Sequence, residues 1–298
     1  MLDDTKQPLA VITMVHGDYP FLERWYGYYG AQIGPEHLYV FSHGNDPEHR
    51  KIAADANLMN TPRDTAMVKF DRRRWRMMGH LASGLLEFYH WVIVADVDEI
   101  VIVDPAVSTG LIEHLRTRYG DPATAPRSIS PFALNMIHVP EHEPMPIVAG
   151  EPILDRRRHF LPSRVYSKPC LVREPVVFGP GGHRNNLGPR HLADDLYLVH
   201  LKSADIGWMT ARADVQADLI SAAALSNPDY KGGHGWTETV AQYHQIRSTY
   251  DIGGEDIALP DIRAAMMRQA ERHKDQFICG PVTNKTIYRI PDRFASVL

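Results

Sequence analysis

Between Trp91 and Val103 an apolar run is broken once, by Asp96, Asp98 and Glu99. Three carboxylates within four residues beside a buried strand repel one another and are costly to desolvate. Positive charge must neutralise them, and a divalent cation is the simplest source. If the strand continues through the acids, Asp96 and Asp98 point to the same side, because side chains alternate with period two. Two hard oxygen ligands at a strand end suit Mn²⁺ or Mg²⁺, an ion usually shared with substrate phosphates. The plain alternative is a pair of turn or capping aspartates with surface neighbours.

Other residues carry compatible chemistry. His200 lies in an apolar segment, where a histidine is either a hydrogen-bonded core residue or a metal ligand from a distant strand. Lys202, two residues on, shares its side and offers a point charge to a phosphate oxygen. The run Phe178-Gly-Pro-Gly-Gly-His183-Arg184 combines glycines, which admit close backbone approach, with the donors His183 and Arg184. Its other reading is a surface loop. Asp46 follows a strand candidate and either caps the next turn or accepts a hydrogen bond from a nucleoside. His16, with Asp18 beside it, follows the first strand candidate. The triplets Arg72-Arg73-Arg74 and Arg156-Arg157-Arg158 are solvated faces or anion sites.

Residues 9–15 and 37–42 read as buried strands, and 66–70 as a third. Helices are expected over 21–33, 48–57 and 75–89, then a strand over 91–95. This alternation predicts an α/β fold with a mostly parallel central sheet flanked by helices. Ligands of such sheets bind beyond the carboxyl ends of strands, where His16, Asp46 and the acids at 96–99 would converge. A helix over 111–119 follows. The stretch 120–188 is irregular, with short strand candidates at 127–132 and 170–172. A strand over 197–202 and helices over 208–225 and 261–274 complete the reading. The 298 residues are taken as a single domain: a nucleotide-binding half (9–104), a second half completing the site (105–215) and a C-terminal helical extension (216–298).

A net charge of −4 argues against a broad nucleic-acid-binding surface. Cys170 and Cys279 make neither a disulfide framework nor a zinc pattern. The acidic N-terminus lacks signal-peptide character, and no apolar run reaches the roughly 18 residues of a membrane span. A cytoplasmic protein is expected, with peripheral membrane contact left open.

The order of these motifs resembles the glycosyltransferase family 2-like proteins with a GT-A fold. Phe21-Leu-Glu-Arg-Trp25, Tyr28-Tyr29, Gly34, Tyr39-Val-Phe-Ser42 and Asp46 resemble the start of that family, and Trp91 to Glu99 its Asp-x-Asp-Glu segment. Ser167-Lys168-Pro169 with Gly182-His183-Arg184, and Val199-His200 with Ser203, resemble later blocks. The resemblance spans roughly residues 9–215. It implies a Rossmann-like nucleotide-sugar-binding half and a metal-dependent hexosyltransferase using Mn²⁺ or Mg²⁺. The donor would be a nucleotide-sugar, usually a UDP-sugar, and the acceptor a saccharide or glycoconjugate. Asp96, Asp98 and His200 would be the metal ligands. His16, Asp46, Asp96, His183, Arg184 and Lys202 would contact the donor. An inverting reaction, favoured by analogy, needs a carboxylate base, and Asp194, Asp195, Asp155 and Glu151 all remain candidates. His16-Gly-Asp18 replaces the family's Asn-Glu pair, Tyr28-Tyr29 its Tyr-His pair, and no Gln-x-x-Arg-Trp motif of processive synthases follows the acids. Donor identity stays open and polymerisation is not expected.

Two rivals remain. A haloacid-dehalogenase-like phosphatase also ends an apolar strand in Asp-x-Asp, but that strand normally opens the domain. Here three strand candidates precede it, and Ile100 stands where Thr or Val is expected. A saccharide-binding pseudo-transferase is the non-enzymatic alternative.

Overall fold

The computed structural model describes residues 5–226, 239–253, 259–268, 271–273, 276–278 and 285–298. Its first half is the predicted alternation. Strand β1 (Gln7–Val15) leads into helix α1 (Tyr19–Ile33), β2 (Leu38–His43), α2 (Pro47–Ile52), β3 (Asn57–Thr61), α3 (Phe70–Leu85) and β4 (Tyr89–Val94). These strands form a parallel block in the order β3-β2-β1-β4.

Side-chain alternation along β1 explains why both faces are covered. Leu9, Val11 and Val15 pack with Phe21, Leu22, Trp25 and Tyr29 of α1. Ala10, Ile12 and Met14 face the other way, onto Trp75, Met78 and Ala82 of α3. A strand buried on both faces reads as a continuous apolar run, as residues 9–15 do.

One strand differs from expectation. Residues 66–70 are not extended: Met67 and Lys69 have φ of 53° and 49°, in the left-handed region. The Asp64 carboxylate accepts a hydrogen bond from Met67 N (3.0 Å), and the chain turns into α3 at Phe70. The third parallel strand is β3, which starts at Asn57, the last residue of the expected helix 48–57; the helix itself stops at Ile52. This edge strand has only two apolar residues, Leu58 and Met59, between polar ones, too few to make an apolar run.

Beyond β4 the sheet becomes mixed. The remaining strands are β5 (Glu99–Val103), β6 (Ser128–Ile137), β7 (His159–Ser163), β8 (Leu171–Val172), β9 (His191–Ser203), β10 (Asp251–Ile252), β11 (Glu271–His273), β12 (Gln276–Ile278) and β13 (Thr286–Arg289). β8 pairs antiparallel with β4 and β6, β9 runs parallel to β6, and β5 is antiparallel to β9. The helices are α4 (Leu111–Tyr119), α5 (Ile206–Ser226), α6 (Thr239–Thr249) and α7 (Leu259–Arg268). The expected helix 261–274 ends at Arg268 among the described residues, and Cys279 lies outside them. The C-terminal third is not purely helical, because β13 pairs with β7 and extends the main sheet. α5 also runs across the expected boundary at 215/216.

A close approach fastens the loop after β8 to α3. Gly182 has φ of +65°, and a Cβ there would lie 2.3 Å from the Trp75 ring. Gly182→Ala is therefore expected to cost about 2–4 kcal/mol, from left-handed strain plus overpacking. Gly150→Ala, at φ +79° but with nothing within 4 Å of its Cβ, should show only the strain. Urea denaturation of both variants checks the difference.

Candidate functional site

A 1290 Å³ cleft opens beyond the carboxyl ends of β1, β2 and β4. His16, Asp46, Asp96, Asp98, His183, His200 and Lys202 all line it. The cleft thus gathers residues spread over nearly two hundred positions of sequence, from the parallel block, the loop after β8 and β9.

The acids leave the strand differently from the expectation of a common side. β4 ends at Val94, and residues 96–99 form a turn closed by Glu99 N donating to Asp96 O (3.0 Å). The turn sends Asp96 and Asp98 to different partners. Arg74 Nη1 donates to Asp96 Oδ1 (2.7 Å) and Lys168 Nζ to Oδ2 (3.3 Å). Lys168 also pairs with Glu99 (2.7 Å), donates to Gly181 O (3.0 Å) and lies 4.8 Å from the centre of the Trp75 ring. Asp98 Oδ2 accepts from Arg212 Nη1 of α5, and Arg212 Nη2 donates to Asp18 (2.9 Å).

Four clustered carboxylates therefore meet three cations of the chain itself. Burial alone would push the Asp98 carboxyl up, but the Arg212 guanidinium holds it well below the usual carboxylate range. Arg74 and Lys168 likewise outweigh burial at Asp96. Burial dominates at Glu99, with Asp96 and Asp98 adding to it, and pushes its carboxyl up against the pull of Lys168.

His200 is oriented for a partner in the cleft. Its Nδ1 pairs with the Asn135 side-chain oxygen (2.7 Å), so Nδ1 carries the proton. The Nε2 lone pair of the neutral ring is then available, 3.7 Å from Asp98 Oδ2. Burial favours that neutral ring against the pull of Asp98. Tyr166 stacks on it at 3.9 Å between ring centres. Asp98 and His200 are thus the pair that fits a divalent cation. Asp96 has both oxygens occupied, by Arg74 and Lys168. Among the described residues no group of three or more His, Cys, Asp or Glu side chains forms a ready-made metal cage.

The end of the cleft toward β1 and β2 carries His16 and Asp46. Asp46 caps α2 by accepting from Glu48 N (2.9 Å), as the capping reading expects, and it also accepts from Tyr19 OH (2.8 Å) and lines the cleft. His16 Nδ1 donates to His43 O (3.0 Å), and His183 Nδ1 to Val165 O (3.0 Å).

Five sequence candidates lie elsewhere. Arg184 is exposed and does not line the cleft. Asp194 and Asp195 sit near the start of β9, and at 3.3 Å per residue Asp194 is about 20 Å from His200. Asp194 pairs with Arg263 (2.7 Å) and Arg118 (3.7 Å), and Asp195 with His114 (3.2 Å). Asp155 lines a separate 920 Å³ cavity and accepts from Ser296 N (3.1 Å), while Glu151 pairs with Arg156 on the surface. None of these carboxylates reaches the cleft, because β9 enters the sheet from its far end and residues 151–155 pack against the C-terminus. The cleft's own additional carboxylates are Asp18 and Asp71.

Sequence reading did not single out Arg212, and it named Arg74 and Lys168 only within a triplet and a motif block. An arginine on an alanine-rich helix gives no local sign that it reaches a strand end nearly 115 residues away.

No family model matches the chain, and no curated protein matches it. Among solved structures, the crystal structure of mannose-1-phosphate geranyltransferase from Thermus thermophilus overlaps 79% of this chain and 68% of its own, at 14% identity and a TM-score of 0.27. An overlap that shallow carries no argument about function. No helix among the described residues is long and apolar enough to cross a membrane.

Lys168→Met removes the cation shared by Asp96 and Glu99. Breaking a buried pair in this way costs about 3–5 kcal/mol. The Glu99 carboxyl, raised by burial, then loses its opposing pull. A raised folded-state pKa makes ionisation costly as pH climbs above the unfolded value near 4.5. The deficit against the parent protein should grow as pH rises through about 8, where the parent's Glu99 ionises against Lys168 and the variant's has no such partner, as measured by chemical denaturation at each pH.

Proposed function

We propose that this protein transfers a sugar from a nucleotide-diphosphate donor, a UDP-sugar in the first instance, to a saccharide or glycoconjugate hydroxyl. The observation that carries the reading is a single cleft at the carboxyl edge of a parallel block. There the polar end of β1 and β2 adjoins the charged floor made by Asp98, His200, Lys202 and Arg212. Switch-point clefts of this kind take nucleotides, and 1290 Å³ exceeds the roughly 300–1000 Å³ of ordinary ligand pockets. That leaves room for a donor and part of an acceptor. The motif order, which resembles glycosyltransferase family 2-like proteins, supports the same reading.

Asp98 and His200 would hold Mn²⁺ or Mg²⁺. Bound there, the ion would offset charge on the leaving diphosphate. Lys202, half-buried in the cleft wall, would add a donor to a phosphate oxygen. Tyr166 keeps the His200 ring in place by stacking, and Asn135 fixes its tautomer. Asp46 and His16 would contact the nucleoside.

The phosphatase rival needs Asp96 as a nucleophile. Both Asp96 oxygens are engaged, by Arg74 and Lys168, which disfavours an in-line attack. Binding without turnover would favour the pseudo-transferase.

Calorimetric titration of UDP and UDP-sugars with Mn²⁺ tests the proposal. Micromolar to millimolar affinity is expected, with slow UDP release. Asp98→Asn should weaken Mn²⁺-dependent UDP binding at least tenfold, while Asp194→Asn, about 20 Å away, should leave it unchanged. Equal UDP affinity in the parent and Asp98→Asn proteins would overturn the assignment.

A further inference from the structure

We infer that Arg212 is an exchangeable counter-ion: it holds Asp98 and Asp18 together in the cation-free protein and yields Asp98 when a divalent ion enters. The inference rests on the proposal that Asp98 and His200 take such an ion.

A single oxygen sits between Arg212 and His200. Asp98 Oδ2 accepts the Arg212 Nη1 hydrogen bond and is also the oxygen that faces His200 Nε2, at 3.7 Å. A guanidinium has no lone pair to offer a metal. It competes for the carboxylate and repels a second cation across a few ångströms of partly buried space. The same guanidinium is what makes the apo arrangement tenable, since Asp18 and Asp98 are both ion-paired through it. Either Arg212 or a divalent ion can neutralise Asp98, and the two cannot share it at full strength.

The architecture allows the exchange without unfolding α5. The first turn of α5 is fixed: Asp205 accepts from Gly207 N (2.9 Å) and Trp208 N (3.1 Å), and Arg157 holds its other oxygen. Arg212 lies beyond that anchor, on a stretch whose outer positions are open, with Val215 52% exposed. A rotamer change of the long side chain releases Asp98 while Asp18 remains within reach. The Phe21 ring, 4.9 Å from the guanidinium carbon, offers it a resting face. The freed charge stays in the cleft, where it would join Lys202 in facing a diphosphate. Arg74 is the contrast, since its partner Asp96 is outside the proposed ligand pair.

The deciding measurement is Mn²⁺ affinity in the absence of nucleotide, read from the free-ion electron paramagnetic resonance signal and by calorimetry. Arg212→Met should bind Mn²⁺ at least tenfold more tightly than the parent, because two carboxylates are left facing each other without a cation. Adding Asp98→Asn to that variant should abolish the gain. Arg212→Lys, which retains a charge, should fall between them and serves if the methionine variant does not fold. Unchanged or weaker Mn²⁺ binding in the position-212 variants, or a gain insensitive to Asp98→Asn, overturns the inference. If no variant binds Mn²⁺ while UDP-sugar still binds in the presence of a chelator, the exchange fails and donor binding stands. If Mn²⁺ binds as expected and no UDP-sugar does, the exchange stands and the transferase proposal fails.

Discussion

Buried carboxylates ionise only next to positive charge, and the turn after β4 places three carboxyl groups together. The rest of the cleft is organised around that requirement. Arg74 comes from α3, Lys168 from the segment before β8, and Arg212 from α5, so three separate elements converge on one short turn. Each brings packing with it. Trp75 lies under Lys168 and against Gly182, which ties the glycine loop to α3. Phe21 lies beneath Arg212, which ties α5 to α1. Removing any one cation would leave a buried charge uncompensated, which costs more than the pair itself contributes.

This arrangement changes how the acid cluster is to be understood. From the sequence, three neighbouring acids require an external ion. The fold meets most of that requirement internally: Asp96 and Glu99 are structural, holding Lys168 and Arg74 in the wall. Asp98 differs, because its second neighbour is a neutral imidazole with an available lone pair. The cluster divides into a fixed part and an exchangeable part, and the dividing feature is a turn that sends Asp96 and Asp98 to opposite partners.

Two other features show structural demands and ligand-facing positions coexisting. Asp46 caps a helix and still borders the cleft, because the start of α2 is itself at the sheet's carboxyl edge. The glycine loop at 179–182 reads like a ligand cradle. Its tightest constraint is instead the Trp75 ring, although Gly181 and His183 do reach the cleft.

The sequence alone determined the parallel block and where its open edge lies. Apolar runs at 9–15, 37–42 and 91–95 are local signals, and parallel pairing leaves one edge for ligands. It therefore located His16, Asp46 and Asp98 on one side, whereas His200 and Lys202 were tied to them only by residue chemistry and motif order. It missed β3 because a half-exposed edge strand carries no apolar run, and it misread 66–70 because left-handed residues leave no trace in hydrophobic pattern. It placed the candidate bases Asp194, Asp195 and Asp155 by residue type alone, and type says nothing about which end of a strand faces the cleft. Tertiary structure decided the partners of every acid. Ion pairing across 72 to 194 positions of sequence, as for Lys168 with Asp96 and Arg212 with Asp18, depends on how helices and strands dock. No local periodicity encodes that docking.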